Sequence, residues 1–293
     1  MKKKIKYILE YIPFYLAVKT MQAMPFALAV KAGRTLGALL YRLSGKRVTM
    51  AENNIARALD LDKAEAAGII KKAFTNVGIT LAEFVNLPQL DRSFFEERVA
   101  IEGEENLIDA QADGKGVLLL GAHIGNWEVL GACLQYKFGN VSVIYRKTKN
   151  IYVDNFINSI RTYPGTETIP HRNSIRKVMS NLKKKGMVGI LLDQHAIPED
   201  AVVVDFFNRP AATNYGLAII ALKTGAPVVP VFVIRDGLGS YKCIYEKPIR
   251  PAKSDDRDKN IRDATSAFNT ALEKIIRAYP EQWFWVHNRW KVD

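Results

Sequence analysis

One histidine of this 293-residue chain directly follows an apolar run that is typical of a buried strand. The run is Val117-Leu118-Leu119-Leu120, and it continues as Gly121-Ala122-His123-Ile124-Gly125-Asn126-Trp127-Glu128. Functional residues of open α/β sheets collect at the carboxyl ends of strands, and the glycines permit a tight turn there. Asn126 can cap a helix that begins at Trp127. Glu128 would then lie in the first turn of that helix, close enough to reach the His123 imidazole.

The chemistry that this segment suggests is proton transfer by a base. A carboxylate bonded to one imidazole nitrogen fixes the tautomer and leaves the other nitrogen free to accept a proton. Spacing alone does not identify the site, because His195 also has an acid five residues later, Asp200. The segment after His195 contains a proline and no helical periodicity, which predicts a loop. Context therefore favours His123 as the base and Glu128 as its orienting acid.

The sequence contains no motif for a covalent enzyme intermediate or for a bound nucleotide. The Gly-x-Ser-x-Gly, Gly-x-Gly-x-x-Gly and Walker A patterns are all absent. Two cysteines, Cys133 and Cys243, are too few for a disulfide scaffold or a four-thiolate site. The histidines lack ligand-like spacing with one another, so neither a metal nor a cofactor is expected. A base without a nucleophile suits direct attack of a substrate hydroxyl on an acyl carbon, whose oxyanion would need donors nearby.

The elements that position His123 predict one α/β domain behind a helical N-terminal segment. From Gly33 to Phe95 the apolar residues recur at three- and four-residue steps, as in helices. After Gly114, short apolar runs alternate with helical segments, which predicts a mixed, mostly parallel sheet flanked by helices. The predicted strands are 117–120, 141–145, 187–192 and 227–234, with a possible edge strand at 241–245. The predicted helices are 127–136, 151–161, 174–184, 214–223 and 257–279.

The N-terminal segment and the net charge both point to a lipid surface. Lys2-Lys3-Lys4 precede an apolar run that is interrupted by Glu10 and Pro13 and closed by Lys19. This run is shorter than the roughly 20 residues of a spanning helix, and a longer span would bury Glu10 and Lys19. We therefore expect residues 1–45 to associate with a membrane as interfacial helices, and residues 46–293 to form the α/β domain. A single span and a plain core helix are the alternatives.

The composition supports an anionic partner. Lys plus Arg number 42 against 30 Asp plus Glu, a net charge of +12. Such a surplus favours nucleic acid, anionic lipid or an acidic carrier protein, although it can also serve solubility alone.

Several segments, taken in order, carry a resemblance to a known family. Gly121–Glu128 resembles the H-x4-[DE] block of the bacterial lipid A biosynthesis acyltransferases, the lauroyl and myristoyl transferases of the lysophospholipid acyltransferase superfamily. The chain departs from the family pattern at Asn208, where glycine is more usual, and at His195, where an acidic residue is more usual. The other similar segments are Tyr145-Arg146, Arg161 with Gly165, Asp193-Gln194, 206–211, 224–231 and 280–291.

This resemblance implies a glycerolipid acyltransferase-like fold and a specific reaction. A fatty acyl chain would move from an acyl carrier protein thioester to a hydroxyl of a membrane glycolipid, most simply a lipid A precursor in lipopolysaccharide biosynthesis. The enzyme would work at the cytoplasmic face of the inner membrane. His123 would be the base and Glu128 its partner. The implied substrate-binding residues are Arg146, Arg161, Asp193 and Arg209.

Two alternatives remain open on the sequence. The same chemistry on another glycolipid, such as a phosphatidylinositol mannoside, fits the same motifs. A non-catalytic, basic membrane- or nucleic-acid-binding protein would need base-stacking aromatics among basic residues, or a recognised nucleic-acid module. The sequence has neither, so no nucleic-acid partner is expected.

Overall fold

The computed structural model describes residues 2–172 and 174–291. Its helices are α1 Lys2–Gln22, α2 Phe26–Leu43, α3 Gly45–Leu59, α4 Lys63–Asn86, α5 Arg92–Arg98, α6 Glu104–Ala112, α7 Trp127–Phe138, α8 Ile151–Arg161, α9 Ile175–Lys183, α10 Gly216–Thr224 and α11 Arg257–Ala278. Its strands are β1 Val99–Glu102, β2 Val117–Gly121, β3 Val141–Tyr145, β4 Glu167–Pro170, β5 Met187–Leu191, β6 Ala201–Asp205, β7 Pro210–Asn214, β8 Val228–Arg235 and β9 Tyr241–Tyr245. Short 3-10 helices lie at Leu87–Gln89, Pro198–Asp200 and Pro280–Gln282.

A seven-stranded sheet forms the centre of the molecule, with the strand order β1-β9-β8-β2-β5-β3-β4. All neighbouring pairs are parallel except β8 and β9, which are antiparallel. The mixed, mostly parallel sheet flanked by helices is therefore confirmed. β6 and β7 form a separate antiparallel hairpin.

The central strand β2 shows why an unbroken apolar run predicts a buried strand. Successive side chains of a strand point to opposite faces, and both faces of this sheet are covered. Leu118 and Leu120 belong to the core on the side of α9, α10 and α11, whereas Val117 and Leu119 belong to the core on the side of α6, α7 and α8. Because its side chains are buried on both faces of the sheet, β2 lies in the middle of the domain, and so does its carboxyl end.

Three features of the sheet differ from the sequence prediction. β9 is a strand, but β1 pairs with it in parallel, so β9 is not at the edge. β1 and β4 were not predicted, because each has four residues and carries a charged residue or a proline. The β6–β7 hairpin was also missed, since the apolar run of β6 is only four residues long and β7 begins with a proline.

The two N-terminal helices pack against α4 and present apolar side chains outward. α2 crosses α4 at very short range, since a Cβ on Gly37 would lie 2.4 Å from the Phe74 carbonyl oxygen and one on Gly78 would lie 2.2 Å from the Gly33 carbonyl oxygen. Within the described residues, no helix is both long enough and apolar enough to cross a membrane. The exposed large apolar side chains are Ile5, Ile8, Leu9, Ile12 and Leu16 on α1 and Leu28, Leu36, Leu39 and Leu43 on α2.

Candidate active site

His123 lies in the turn between β2 and α7, at the carboxyl end of β2. Its side chain keeps 23% of its surface exposed. Trp127 and Phe284 contact the ring, with centroid separations of 5.2 and 6.3 Å. The backbone of the turn is fixed as well, because the Phe284 amide donates to the His123 carbonyl at 3.0 Å. The imidazole is therefore held by aromatic rings but remains accessible.

The turn itself depends on the two residues that follow Ile124. Gly125 has a φ of +59°, and a Cβ there would lie 1.9 Å from the Val233 carbonyl oxygen. Only glycine combines that conformation with so close an approach. Asn126 caps α7 as predicted, since its Oδ1 accepts from the amides of Glu128 and Val129 at 3.2 and 3.1 Å.

The carboxylate bonded to the His123 imidazole belongs to Asp193. Asp193 follows β5, the neighbour of β2 in the sheet, and its Oδ1 accepts from His123 Nδ1 at 2.8 Å. Its Oδ2 accepts from the His123 backbone amide at 3.0 Å and from Trp283 Nε1 at 2.8 Å. One expectation is thereby corrected: the carboxylate hydrogen-bonded to the ring is that of Asp193 and not that of Glu128. Asp193, expected to bind substrate, is buried, and both of its oxygens accept hydrogen bonds from the protein.

This contact changes the pKa of both partners. Burial lowers the pKa of the His123 imidazole, but the charge of Asp193 and its hydrogen bond, together with the charge of Glu128, outweigh burial and raise that pKa above its ordinary value. Burial raises the pKa of the Asp193 carboxyl, and the His123 charge with three hydrogen bonds outweighs it and lowers that pKa. Asp193 is therefore a carboxylate at neutral pH, and it accepts the Nδ1 proton of His123.

In the neutral form of His123, the proton on Nδ1 is bonded to Asp193 and Nε2 is unprotonated. Within the part of the chain that the structure describes, the one side chain at hydrogen-bonding distance from this nitrogen is Gln194, whose Nε2 lies 3.4 Å away. An imidazole with Nδ1–H bonded to a buried carboxylate and with an unprotonated Nε2 is the arrangement of a general base.

Glu128 is instead bonded to Arg161 of α8. The Arg161 guanidinium donates to both carboxylate oxygens, through Nε at 2.8 Å and Nη2 at 2.5 Å. Its other face lies over the ring of Phe84, 5.6 Å from the centroid. Burial lowers the pKa of Arg161, and the bond to Glu128 outweighs it and raises that pKa. Glu128 has no described hydrogen bond to His123; its charge raises the pKa of the imidazole, and the charge of Arg161 lowers it.

A family model described as bacterial lipid A biosynthesis acyltransferase matches residues 2–292 of the chain. The chain belongs to this family. It is therefore an enzyme that transfers acyl groups, and the resemblance carried by the sequence motifs is confirmed.

The chain is also similar to individual proteins and to a solved structure. A lipid A biosynthesis lauroyltransferase of Escherichia coli strain K12 is 28% identical over 92% of this chain and 87% of the relative. A phosphatidylinositol mannoside acyltransferase of Mycobacterium tuberculosis is 25% identical over 82% of this chain and 76% of the relative. The crystal structure of a 1-acyl-sn-glycerophosphate acyltransferase of Thermotoga maritima covers 87% of this chain with 16% identity and a TM-score of 0.38.

Two arginines expected to bind substrate have no described contact with the His123–Asp193 pair. Arg146 is exposed after β3, the strand next to β5. Arg209 lies in the turn of the β6–β7 hairpin, and its guanidinium lies 4.5 Å from the ring centroid of Trp290. Burial and the charge of Arg57 lower the pKa of Arg209.

The family departure at Asn208 has a backbone explanation. Asn208 has a φ of +54° in the turn between β6 and β7, the left-handed region that glycine adopts most easily. Asparagine is among the non-glycine residues that tolerate this region best. The substitution therefore preserves the turn.

Sequence reasoning missed Gln194 and Trp283 as parts of the site. Both stand in segments that resemble the family, but their roles follow from contacts across the fold. Gln194 meets His123 only because β5 lies beside β2, and Trp283 reaches Asp193 across 90 positions of sequence.

The other histidine with matching spacing, His195, lies in the predicted loop, where its amide donates to His287 Nδ1 at 3.5 Å. No group of three or more His, Cys, Asp or Glu side chains among residues 2–172 and 174–291 could hold a metal ion.

Proposed function

We propose that the enzyme transfers a fatty acyl chain from an acyl carrier protein thioester to a hydroxyl of an anionic membrane glycolipid. The observation that carries the proposal is the His123 imidazole, bonded through Nδ1 to buried Asp193, with Nε2 on a ring that is partly exposed. The names of the relatives, lipid A and phosphatidylinositol mannoside acyltransferases, support a glycolipid acceptor. A lipid A precursor is the first candidate acceptor, and a phosphatidylinositol mannoside is the second.

The reaction begins when His123 Nε2 takes the proton of the acceptor hydroxyl as its oxygen attacks the thioester carbon. A tetrahedral oxyanion forms, and the Gln194 amide, 3.4 Å from Nε2, is a donor at the right place to stabilise it. The C–S bond then breaks, and the imidazolium returns its proton to the departing thiolate. The products are the acyl ester and the carrier thiol. Asp193 stabilises the imidazolium in between, as its effect on the His123 pKa indicates.

Glu128 and Arg161 have a different part in the proposal. They form a bidentate pair, in which the charge of Glu128 raises the pKa of His123 and the charge of Arg161 lowers it. Because Glu128 already occupies the guanidinium of Arg161, we assign the recognition of acceptor phosphates to the exposed Arg146 rather than to Arg161. A guanidinium suits phosphate because it donates two parallel hydrogen bonds. Arg209 remains a second candidate for this role.

We propose that the enzyme acts at a membrane surface and that residues 1–45 attach it there. Ile5, Leu9, Ile12 and Leu16 recur at three- and four-residue steps on α1 and are 48–65% exposed, so they form one outward stripe. An apolar stripe near lysines inserts into the headgroup region of anionic lipid. We propose attachment from one side, at the cytoplasmic face of the inner membrane, with residues 46–293 as the catalytic domain.

Vesicle binding tests the attachment. Leu9→Glu with Leu16→Glu should release the protein from anionic phospholipid vesicles in a flotation assay, because each carboxylate would enter the apolar layer. Ile108→Glu with Leu238→Glu is the matched control, since both side chains are at least half exposed elsewhere on the surface. Equal flotation of the two double variants would contradict the assignment of α1.

Acyl transfer tests the function itself. The purified enzyme is incubated with acyl carrier protein carrying a labelled acyl chain and with a total lipid extract, and the products are identified by mass spectrometry. We expect one class of glycolipid to gain one acyl chain. If no lipid gains an acyl chain from this donor but acyl-CoA supports transfer, the carrier is wrong. If neither donor works on any extract, the proposed reaction is wrong.

A further inference from the structure

A buried ion pair joins α4 to the end of β8 directly beneath the turn that carries His123. Arg235 donates to the carboxylate of Glu83 through Nε at 3.1 Å and also through Nη2. The two side chains are only 7% and 0% exposed. Removing such charges from water costs several kcal/mol for each ion, and replacing a buried pair by apolar residues is often neutral for stability or better. A contribution to fold stability is therefore a poor explanation for this ion pair.

One side chain connects this ion pair to the first turn of α7. Asn126 Nδ2 donates to Glu83 Oε2 at 2.7 Å, while Asn126 Oδ1 caps α7 by accepting from the amides of Glu128 and Val129. Asn126 is fully buried. The orientation of the Asn126 amide, and with it the start of α7, is thus set by the Glu83 carboxylate.

Arg235 also fixes Gly125, the residue before Asn126 in the turn, through two side chains of α4. Its guanidinium donates to Asn76 Oδ1, and to Thr80 Oγ1 at 3.1 Å. Asn76 Nδ2 and Thr80 Oγ1 in turn donate to the Gly125 carbonyl oxygen at 3.3 and 3.0 Å. The Arg235 guanidinium orients both donors, so the carbonyl of Gly125 has one defined direction.

The same layer reaches the Asp193 side of the site through Gln282. Gln282 exchanges two hydrogen bonds with the backbone of Arg235, at 2.9 and 3.0 Å. The Gln282 carbonyl accepts from the Gly125 amide at 3.1 Å. The next residue, Trp283, donates to Asp193. The ion pair is therefore connected to both sides of the His123–Asp193 contact.

We propose that Glu83 and Arg235 are positioning residues for acyl transfer. They hold the Gly125–Asn126 turn so that the His123 imidazole and the Glu128 carboxylate keep their places, and no described contact brings either side chain to His123 itself. This inference rests on the function proposed above. Because the ion pair acts on the geometry of the site and not by substrate contact, loss of its hydrogen bonds should lower kcat and leave KM nearly unchanged.

Asn126→Asp breaks the connection with the smallest change. Aspartate caps a helix as well as asparagine does, so α7 keeps its N-cap. The new carboxylate faces the Glu83 carboxylate, and the hydrogen bond between residues 126 and 83 is lost. We expect kcat to fall by about 10- to 100-fold, in line with the effect of small misplacements of catalytic groups, with KM changed by less than about threefold.

A second substitution should restore the connection. In the double variant Glu83→Gln with Asn126→Asp, the glutamine amide donates to the aspartate, so the same hydrogen bond runs in the opposite direction. Arg235 Nε can still donate to the glutamine oxygen at the position of Glu83 Oε1, whereas its Nη2 loses the acceptor that it shares with Asn126; the net charge is that of the wild type. We expect kcat to recover by about fivefold or more from the Asn126→Asp value, as a coupled pair does in a double-mutant cycle, although one Arg235 hydrogen bond is lost.

Asn181→Asp is the matched control, because it makes the same chemical change at a site away from the turn. Asn181 is also buried, and its Nδ2 donates to Glu167 Oε2 at 2.7 Å between α9 and β4. We expect Asn181→Asp to lower the melting temperature as Asn126→Asp does, while kcat stays within about twofold of wild type.

Three results bear on the inference. A selective loss of kcat in Asn126→Asp with rescue in the double variant supports it. Equal kcat in Asn126→Asp and Asn181→Asp, or a loss that Glu83→Gln does not restore, overturns it. If Asn126→Asp does not fold, a folded and active double variant still supports the coupling, and a folded but inactive double variant refutes it. Absence of transfer by the wild-type enzyme would instead refute the proposed function.

Discussion

Replacing Asp193 by asparagine keeps the shape of the side chain and removes the charge behind the His123 imidazole. The wild-type carboxylate accepts three hydrogen bonds, from His123 Nδ1, the His123 amide and Trp283 Nε1. The asparagine oxygen can still accept from the tryptophan and from the backbone amide. Its NH2 group then faces His123 Nδ1, which must become an acceptor and leave the proton on Nε2. The imidazole would be held in the tautomer that cannot act as a base.

The expected magnitude follows from that change of tautomer. Conversion of a triad aspartate to asparagine, which has the same consequence, lowers kcat by about 10⁴-fold. We expect Asp193→Asn to lower kcat by about 10³- to 10⁴-fold, or about 4–5.5 kcal/mol of transition-state stabilisation. The loss should appear in kcat/KM to the same extent, because the buried carboxylate does not bind substrate.

The pH profile provides an independent readout. In the wild type, burial lowers the pKa of His123. The charge and hydrogen bond of Asp193 more than offset this effect, so the pKa of His123 is raised. A base is active when deprotonated, so kcat/KM should increase as pH rises through this pKa. Without the Asp193 charge, burial is less opposed, and the acidic limb of the residual activity should move to lower pH.

The assay compares initial rates of Asp193→Asn and wild type across pH, after circular dichroism has established that both are folded. Asp154→Asn is the matched control, since Asp154 is also buried and accepts from the Thr148 amide at 2.7 Å. The control should lose stability but keep kcat. A folded Asp193→Asn enzyme within tenfold of wild-type kcat, with an unmoved acidic limb, would refute the assignment of Asp193 as the orienting acid.

Two further predictions concern the other groups at the site. Glu128→Gln should lower kcat by about 100-fold, because it releases Arg161 and removes a charge that favours the imidazolium, and adding Arg161→Gln should cost little more since the two act as a unit; additive losses in steady-state kinetics would contradict the pairing. His123→Ala should lower kcat by about 10²- to 10⁴-fold, whereas His195→Ala, in the loop after Asp193, should at most raise KM for the acceptor. If His195→Ala is inactive and His123→Ala is active, the base has been assigned to the wrong histidine.

Local signals predicted the elements around His123 because their causes are local. The unbroken apolar run of β2 requires burial on both faces, the glycine at 125 permits a positive φ, and Asn126 can cap only the residues just after it. Each of these statements involves a few consecutive residues. The structure confirmed all three.

The partner of the imidazole could not be predicted in the same way. Glu128 was expected because it is five residues from His123, yet the side chain of residue 128 points toward α8, where Arg161 binds it. Asp193 is 70 positions away, and it meets the ring only because β5 is the strand beside β2. Strand order is a property of the whole sheet, so no spacing pattern could choose between the two carboxylates.

The contacts that complete the site also determine when it can exist during synthesis. Arg235 follows Glu83 by 152 positions, and Trp283 follows Asp193 by 90, whereas α1 and α2 precede all four residues. Contacts between residues so distant in sequence form late, because the intervening chain must first be made and closed into a loop. The exposed leucines of α1 and α2 therefore leave the ribosome well before the segment with Gln282 and Trp283 can dock. A chain whose α1 and α2 have already been made is therefore still inactive, because the contacts that hold His123 and Asp193 in place have not yet formed.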